Sequence, residues 1–371
     1  MKTLTLTIAL LLAGPIGESA IAGPETSGAA TDDSPTTFGP VVDVPSTPAL
    51  RAPVRVVTTL PVYAAITRAI GGDEVQVVSI ADPNEDSHFV RPKPSYALEL
   101  RRAELFVTTG LDLELWVPAL LDKAGNPDVL EGRPGYVTAH TGITLLDVPA
   151  AADRSQGDVH IFGNPHLHTD PLRALRIARN ITTGLKRVAP DRAAQFDQGL
   201  ERYRNETYER VFGTRLVEMI GGPTLERLAL NGTLFDFLDD NELDGEPLSS
   251  VLGGWLAQAA PLRGARIICY HVNWSYFEER FQIDCADYVE TKPGIPPTPR
   301  HVARLIELMR GEGLSVVLAA SYFDRGRVES VASRGNAQAV VVPMQTGARP
   351  GVETYFDLVD LWVTELASAL D

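Results

Sequence analysis

The chain has 371 residues, 44% of them apolar, which is enough for about two domains of ~100 to 200 residues and a sizeable core. Thirty-three Lys and Arg against 48 Asp and Glu leave a formal charge of −15, a balance ill suited to gripping phosphate backbones, so no nucleic-acid partner is expected. Two cysteines exclude a disulfide-dense scaffold and any Cys-rich zinc or iron–sulfur module, leaving histidines and carboxylates to carry metal chemistry.

Residues 1–22 combine Lys2, an apolar run from Leu4 to Ala13 and the small-x-small pattern Ala20-Ile21-Ala22, the layout of a signal peptide that is removed on export. The run is shorter than the ~20 apolar residues that cross ~30 Å of hydrocarbon. No cysteine adjoins the cleavage site to carry lipid. The expectation is a periplasmic monomer without a membrane anchor. Residues 23–52 are rich in Gly, Pro, Ser and Thr, too poor in apolar groups to offset chain entropy, and read as a disordered leader.

From residue 53 strands and helices alternate. Arg55–Leu60 is β-branched, Ala64–Ile70 amphipathic, Val75–Ile80 a second strand, Pro94–Arg102 a helix and Leu105–Thr109 a third strand. This predicts a parallel sheet with covering helices, an N-terminal α/β lobe over 53–188 that ends in a helix from Leu172 to Val188. Pro190 suits a first helical turn, and the apolar stripe through Phe196, Leu200 and Tyr203 towards Val217 predicts a linking helix within 189–220. Residues 221–264 read as a helical and loop insertion. A second α/β lobe follows over 265–371, with strands at Arg266–Tyr270, Ser315–Ala319 and Ala339–Pro343 and helices at Thr298–Met309 and Arg325–Ser333.

Seven histidines occur. A lone histidine is more often surface or satisfied core than ligand, but position changes the weight. In open α/β sheets ligands bind beyond the carboxyl ends of strands. His88 follows the strand Val75–Ile80, and His271 follows Arg266–Tyr270 directly, so the two occupy equivalent places and could face one cleft. His166 and His168 lie in Gly163-Asn164-Pro165-His166-Leu167-His168-Thr169-Asp170-Pro171, six and eight residues after His160. Neutral imidazoles are common zinc ligands. His166 is read as a ligand, and His168 as a supporting group that packs or hydrogen-bonds. His301 stands amid arginines and His140 precedes a glycine turn, which gives neither a metal role.

Four segments together resemble the zinc and manganese solute-binding proteins of bacterial ABC importers, the cluster A-I group: Asp82–Pro94, Gly163–Pro171, Tyr270–Phe277 (Tyr-His-x-x-Trp-x-Tyr-Phe) and Glu290–Pro299 (Glu-x-Lys-Pro-Gly-Ile-Pro-Pro-x-Pro). Thr109–Trp116 is similar to the segment after the family's third strand. The resemblance implies two pseudo-symmetric α/β lobes joined by one long helix, with metal in the cleft between them. It implies His88, His166 and His271 as three ligands. The fourth would be a carboxylate before an aromatic pair near the C-terminus, here Glu353 in Val352-Glu353-Thr354-Tyr355-Phe356 with Asp357 and Asp324 as competitors, or an open or water-filled place. His160 is then an accessory metal group, and Asp86, Glu85 and Asp170 could orient the rings.

Three nitrogens and one carboxylate oxygen suit tetrahedral Zn²⁺, whereas Mn²⁺ prefers more oxygen. The implied function is capture of Zn²⁺ for an ABC permease in the inner membrane, without catalysis. The alternatives are a manganese-binding member of the same family, or an exported zinc hydrolase, since three histidines and an open position also activate water, though His-Glu-x-x-His is absent from the sequence. Cys269 and Cys285 lie 16 apart and read either as a disulfide, favoured by an oxidising compartment, or as two buried thiols.

Overall fold

Strand and helix alternate through a computed structural model that describes residues 51–149, 160–243, 245–290 and 294–370. The signal peptide, nearly all of the leader, and Gly157–Val159 before His160 lie outside the described residues. The first strands and helices are β1 (Val54–Thr58), α1 (Pro61–Gly71), β2 (Val75–Ser79), α2 (Pro94–Arg102), β3 (Leu105–Thr108), α3 (Val117–Ala124) and β4 (Tyr136–Thr138). Their four strands run parallel in the order β2-β1-β3-β4. β3 is buried along its whole length, as a parallel strand covered on both faces must be.

Next come α4 (Pro171–Val188), α5 (Ala193–Phe212), α6 (Thr214–Ile220), α7 (Gly222–Leu230) and α8 (Leu234–Asp240). A two-stranded ribbon, β5 (Glu242–Leu243) with β6 (Glu246–Pro247), and the short α9 (Leu248–Val251) and α10 (Gly254–Gln258) complete this segment. The second sheet alternates β7 (Arg266–Cys269), α11 (Ser275–Phe281), β8 (Asp284–Tyr288), α12 (Pro299–Glu312), β9 (Val316–Ala320), α13 (Arg325–Gly335) and β10 (Gln338–Val342), and α14 (Tyr355–Leu370) closes the chain. Its order is β10-β9-β7-β8, again all parallel. The two α/β lobes of the sequence reading are therefore present.

Local chemistry sets the helix bounds. Pro171 opens α4 behind Asp170, whose carboxylate accepts the Leu172 N–H. Thr298 caps α12 in the same way, Pro299 follows it, and Gly313 at φ +68° stops it, the N-terminal proline and C-terminal glycine asymmetry of helices. The linking helix is shorter than its apolar stripe predicts. A 3₁₀ turn at Pro190–Arg192 leads into α5, which ends at Phe212 because Gly213 takes φ +84°. α5 nevertheless serves both lobes. It packs on α1 and α4 on one side, while Tyr203 stacks on Phe356 of α14 with ring centroids 4.9 Å apart on the other. Gly199 is needed at the α1 contact, since a Cβ there would collide with the Ile70 carbonyl.

A buried ion network lies where the lobes meet. Asp170 is fully buried, and its carboxylate accepts from Arg173 Nη1 at 2.7 Å and from Arg280 Nε and Nη2 at 2.9 and 3.0 Å. Arg173 also reaches Glu279 on α11 at 2.8 Å. Burial alone would raise the Asp170 carboxyl, but the two guanidiniums outweigh it and hold the group below the usual carboxylate range. No described helix is long and apolar enough to cross a membrane.

Candidate metal site

Both sheets point the carboxyl ends of their strands at one place. His88 lies in a 3₁₀ turn, Ser87–Phe89, beyond β2, and His160 and His166 lie beyond β4. His271 comes two residues after β7. One nitrogen from each of His88, His160 and His166 falls within 4.8 Å of the others. The His271 ring centre lies 6.0 Å from that of His88 and 6.1 Å from that of His166. His160, His166 and His271 are buried and His88 is half-buried.

Each ring is held from behind. His88 Nδ1 meets Asp86 Oδ1 at 2.6 Å, and the same oxygen accepts the His88 backbone N–H at 3.0 Å. His160 Nδ1 meets Asp112 Oδ1 at 3.0 Å, while Asp112 Oδ2 accepts the Ile161 N–H at 2.9 Å. His166 Nδ1 meets Asn164 Oδ1 at 2.8 Å, and that oxygen also accepts the His166 N–H at 3.0 Å. Glu290 places Oε2 3.2 Å from His271 Nδ1, without an aligned hydrogen bond. For the first three rings the atom facing Nδ1 is an acceptor, so Nδ1 carries the proton and Nε2 the lone pair.

His88 Nε2 and His160 Nε2 then face each other 3.1 Å apart. Two lone pairs at that separation repel unless a cation or a proton lies between them. A tetrahedral ion with Zn–N of ~2.0 to 2.1 Å sets its nitrogens ~3.3 to 3.4 Å apart, close to the spacing found. The donor set therefore fits a borderline cation, with carboxylates one bond removed from it.

Burial pushes His166 well below the usual imidazole range, and the neighbouring rings of His88, His160 and His271 push the same way. Burial likewise lowers His160, outweighing the Asp112 hydrogen bond that opposes it. Burial would raise Asp86 and Asp112, but hydrogen bonds and charge from His88 and His160 hold both carboxyls low. These shifts favour neutral rings beside ionised carboxylates, the state that metal ligation needs.

The structure distributes the sequence candidates unevenly. His88, His166 and His271 come together, and His160, expected only as an accessory, joins them. Glu353 does not. It is exposed and its Oε1 accepts the Gly351 N–H at 3.2 Å, in a turn that faces a surface groove lined by Arg68 and Pro83. Its competitors are occupied at helix starts: Asp324 accepts the Arg327 N–H and Asp357 the Thr354 N–H.

Asp86 lies against the His88 ring, whereas Asp170 belongs to the arginine network and Glu85 accepts the Asp82 N–H. His168 is buried, its Nε2 3.2 Å from the Met344 carbonyl, and burial lowers its pKa to about 4. His140 and His301 contact the carbonyls of Thr109 and Tyr288, away from the cluster.

Three further residues support the rings. Asp112, Asn164 and Glu290 all stand in segments quoted for the resemblance, and Asp112 and Glu290 follow β3 and β8, so the strand-end argument used for His88 would have found both. Glu114 fixes the turn that presents Asp112: buried, it accepts from the hydroxyls of Thr59 and Thr109 at 2.6 and 2.7 Å and from Thr108 at 3.2 Å. Cys269 and Cys285 are disulfide-bonded, their Cα atoms 5.4 Å apart, across β7 and β8.

Known proteins agree with this architecture. The family described as zinc-uptake complex component A periplasmic, ZnuA, matches residues 56–209 and 253–369. The iron-binding protein YfeA of Yersinia pestis is 23% identical over 316 residues, covering 84% of this chain and 85% of its own. The zinc-binding lipoprotein AdcA of Streptococcus pneumoniae serotype 4 (strain ATCC BAA-334 / TIGR4) is 27% identical over 158 residues, 40% of this chain and 30% of its own length. A crystal structure of ZnuA superposes with a TM-score of 0.63 at 19% identity, covering 86% of this chain and all of that one. A Mn-bound periplasmic metal binding protein from candidatus liberibacter asiaticus gives 0.58 at 18% identity, covering 85% and 99%. With a family match over most of its length, the chain belongs to the ZnuA family of metal-binding ABC-importer substrate-binding proteins.

Proposed function

We propose that this protein captures Zn²⁺ in the periplasm and delivers it to an ABC permease in the inner membrane. Its ligands are His88, His160, His166 and His271. The observation that carries the reading is the 3.1 Å approach of the His88 and His160 Nε2 atoms between rings whose Nδ1 atoms both face carboxylates. A donor set of imidazole nitrogens favours zinc over manganese, which prefers oxygen donors. The match to a substrate-binding family supports transport over hydrolysis.

Elemental analysis of the purified protein, together with single alanine variants at the four histidines, tests this. One zinc per chain is expected in the parent, weakened in each variant. Manganese in place of zinc, or full zinc retention in the His88 and His166 variants, would overturn it.

A further inference from the structure

Asn164 is 2% exposed and touches both lobes. Its Oδ1 holds His166 through ring and backbone. Its Nδ2 donates to the Val272 carbonyl at 2.7 Å, the residue after His271, and shares its two hydrogens further with Asp147 Oδ2 at 3.0 Å and Ser275 Oγ at 3.1 Å. The Asn164 carbonyl accepts from Tyr276 Oη at 2.6 Å, and that oxygen accepts the Leu146 N–H at 3.1 Å. The acceptor end of this one amide therefore fixes a ligand of the first lobe, and the donor end fixes the backbone beside a ligand of the second. The other ring partners, Asp86, Asp112 and Glu290, are carboxylates, which cannot donate.

We propose that Asn164 is a positioning residue that sets His166 and His271 in register with each other across the lobe boundary, and that an amide is required there because the position must accept and donate at once. The inference rests on the zinc reading above. An aspartate would keep the acceptor for His166 but leave the Val272 carbonyl without its donor. It would also add a charge beside Asp147, which a simultaneous Asp147→Asn change relieves.

The test measures zinc dissociation constants by chelator competition, and melting of the metal-free protein, for Asn164→Ala and for Asn164→Asp combined with Asp147→Asn. Both are expected to bind zinc about 10- to 100-fold more weakly, the usual effect of losing a group that orients a ligand. In a His271→Ala background the loss from the Asn164→Asp, Asp147→Asn pair should shrink, because the ring it aligns is gone. A merely structural role would lower the melting temperature and leave that coupling at zero. The proposal is overturned if the aspartate pair binds zinc as tightly as the parent, or if its loss is equally large without the His271 ring. A parent that binds no zinc would instead sink the site reading, and this inference with it.

Discussion

Asp112 holds His160 through the imidazole Nδ1 at 3.0 Å and accepts the N–H of the next residue, Ile161, at 2.9 Å. The carboxylate fixes both the direction of the ring and the path of the chain that carries it. Asp112→Ala should therefore weaken zinc binding about 10- to 100-fold. Chelator competition checks this, and unchanged affinity would mean that His160 does not ligate.

His160→Ala should weaken zinc binding more than Asp112→Ala does, because it removes a donor and not its support. Glu353→Ala should leave affinity untouched and stability within about 0.5 kcal/mol, as exposed substitutions usually do. Paired titrations of the two variants decide which residue completes the site. A large loss from Glu353→Ala would return the fourth place to that carboxylate.

His168 ties metal-free stability to pH. Its folded pKa is about 4 against ~6.5 unfolded, so between those values the unfolded chain takes up a proton that the folded chain refuses. Stability is full above ~6.5 and falls as pH drops towards 4, by on the order of 3 kcal/mol. Urea melts of the metal-free protein should show a steeper acid loss in the parent than in His168→Gln. Parallel slopes would contradict this assignment.

Cys269 and Cys285 close a loop with a sequence separation of 16. By chain entropy the bridge contributes about 3 kcal/mol, so Cys269→Ala with Cys285→Ala should lower the unfolding free energy by about that amount. A loss near zero would show that the neighbouring strands hold themselves.

Removing Asp170 leaves Arg173 and Arg280 facing each other in the buried lobe boundary. Asp170→Ala should cost about 3 to 5 kcal/mol, the range for stripping one partner from a buried pair. Denaturant unfolding measures it. A cost below about 1 kcal/mol would place the pair among weak, solvent-screened bridges.

Much of this architecture is legible in the sequence because its signals are local. Asp170-Pro171 and Thr298-Pro299 mark helix starts, and β-branched runs mark β1, β2 and β9. Two elements escape that reading for physical reasons. β4 has three residues, too few for a period, and β8 interleaves Asp284 and Asp287 with its apolar residues.

The site divides in the same way. His88 and His271 follow from strand ends, and His166 from its motif. His160 owes its place to Asp112, 48 residues away, which no local pattern records. Glu353 sits in an irregular turn whose direction depends on tertiary contacts, so adjacency to Tyr355 and Phe356 says nothing about where its carboxylate goes.

His88, His160 and His166 cluster, with His271 beside two of them, only after two separate sheets have assembled, so the unfolded chain has no equivalent site to offer an ion. Occupancy then adds to folding free energy by mass action, about 2.7 kcal/mol at a hundredfold excess over Kd. The thermal midpoint of the purified protein thereby becomes a gauge of free ion in the surrounding medium.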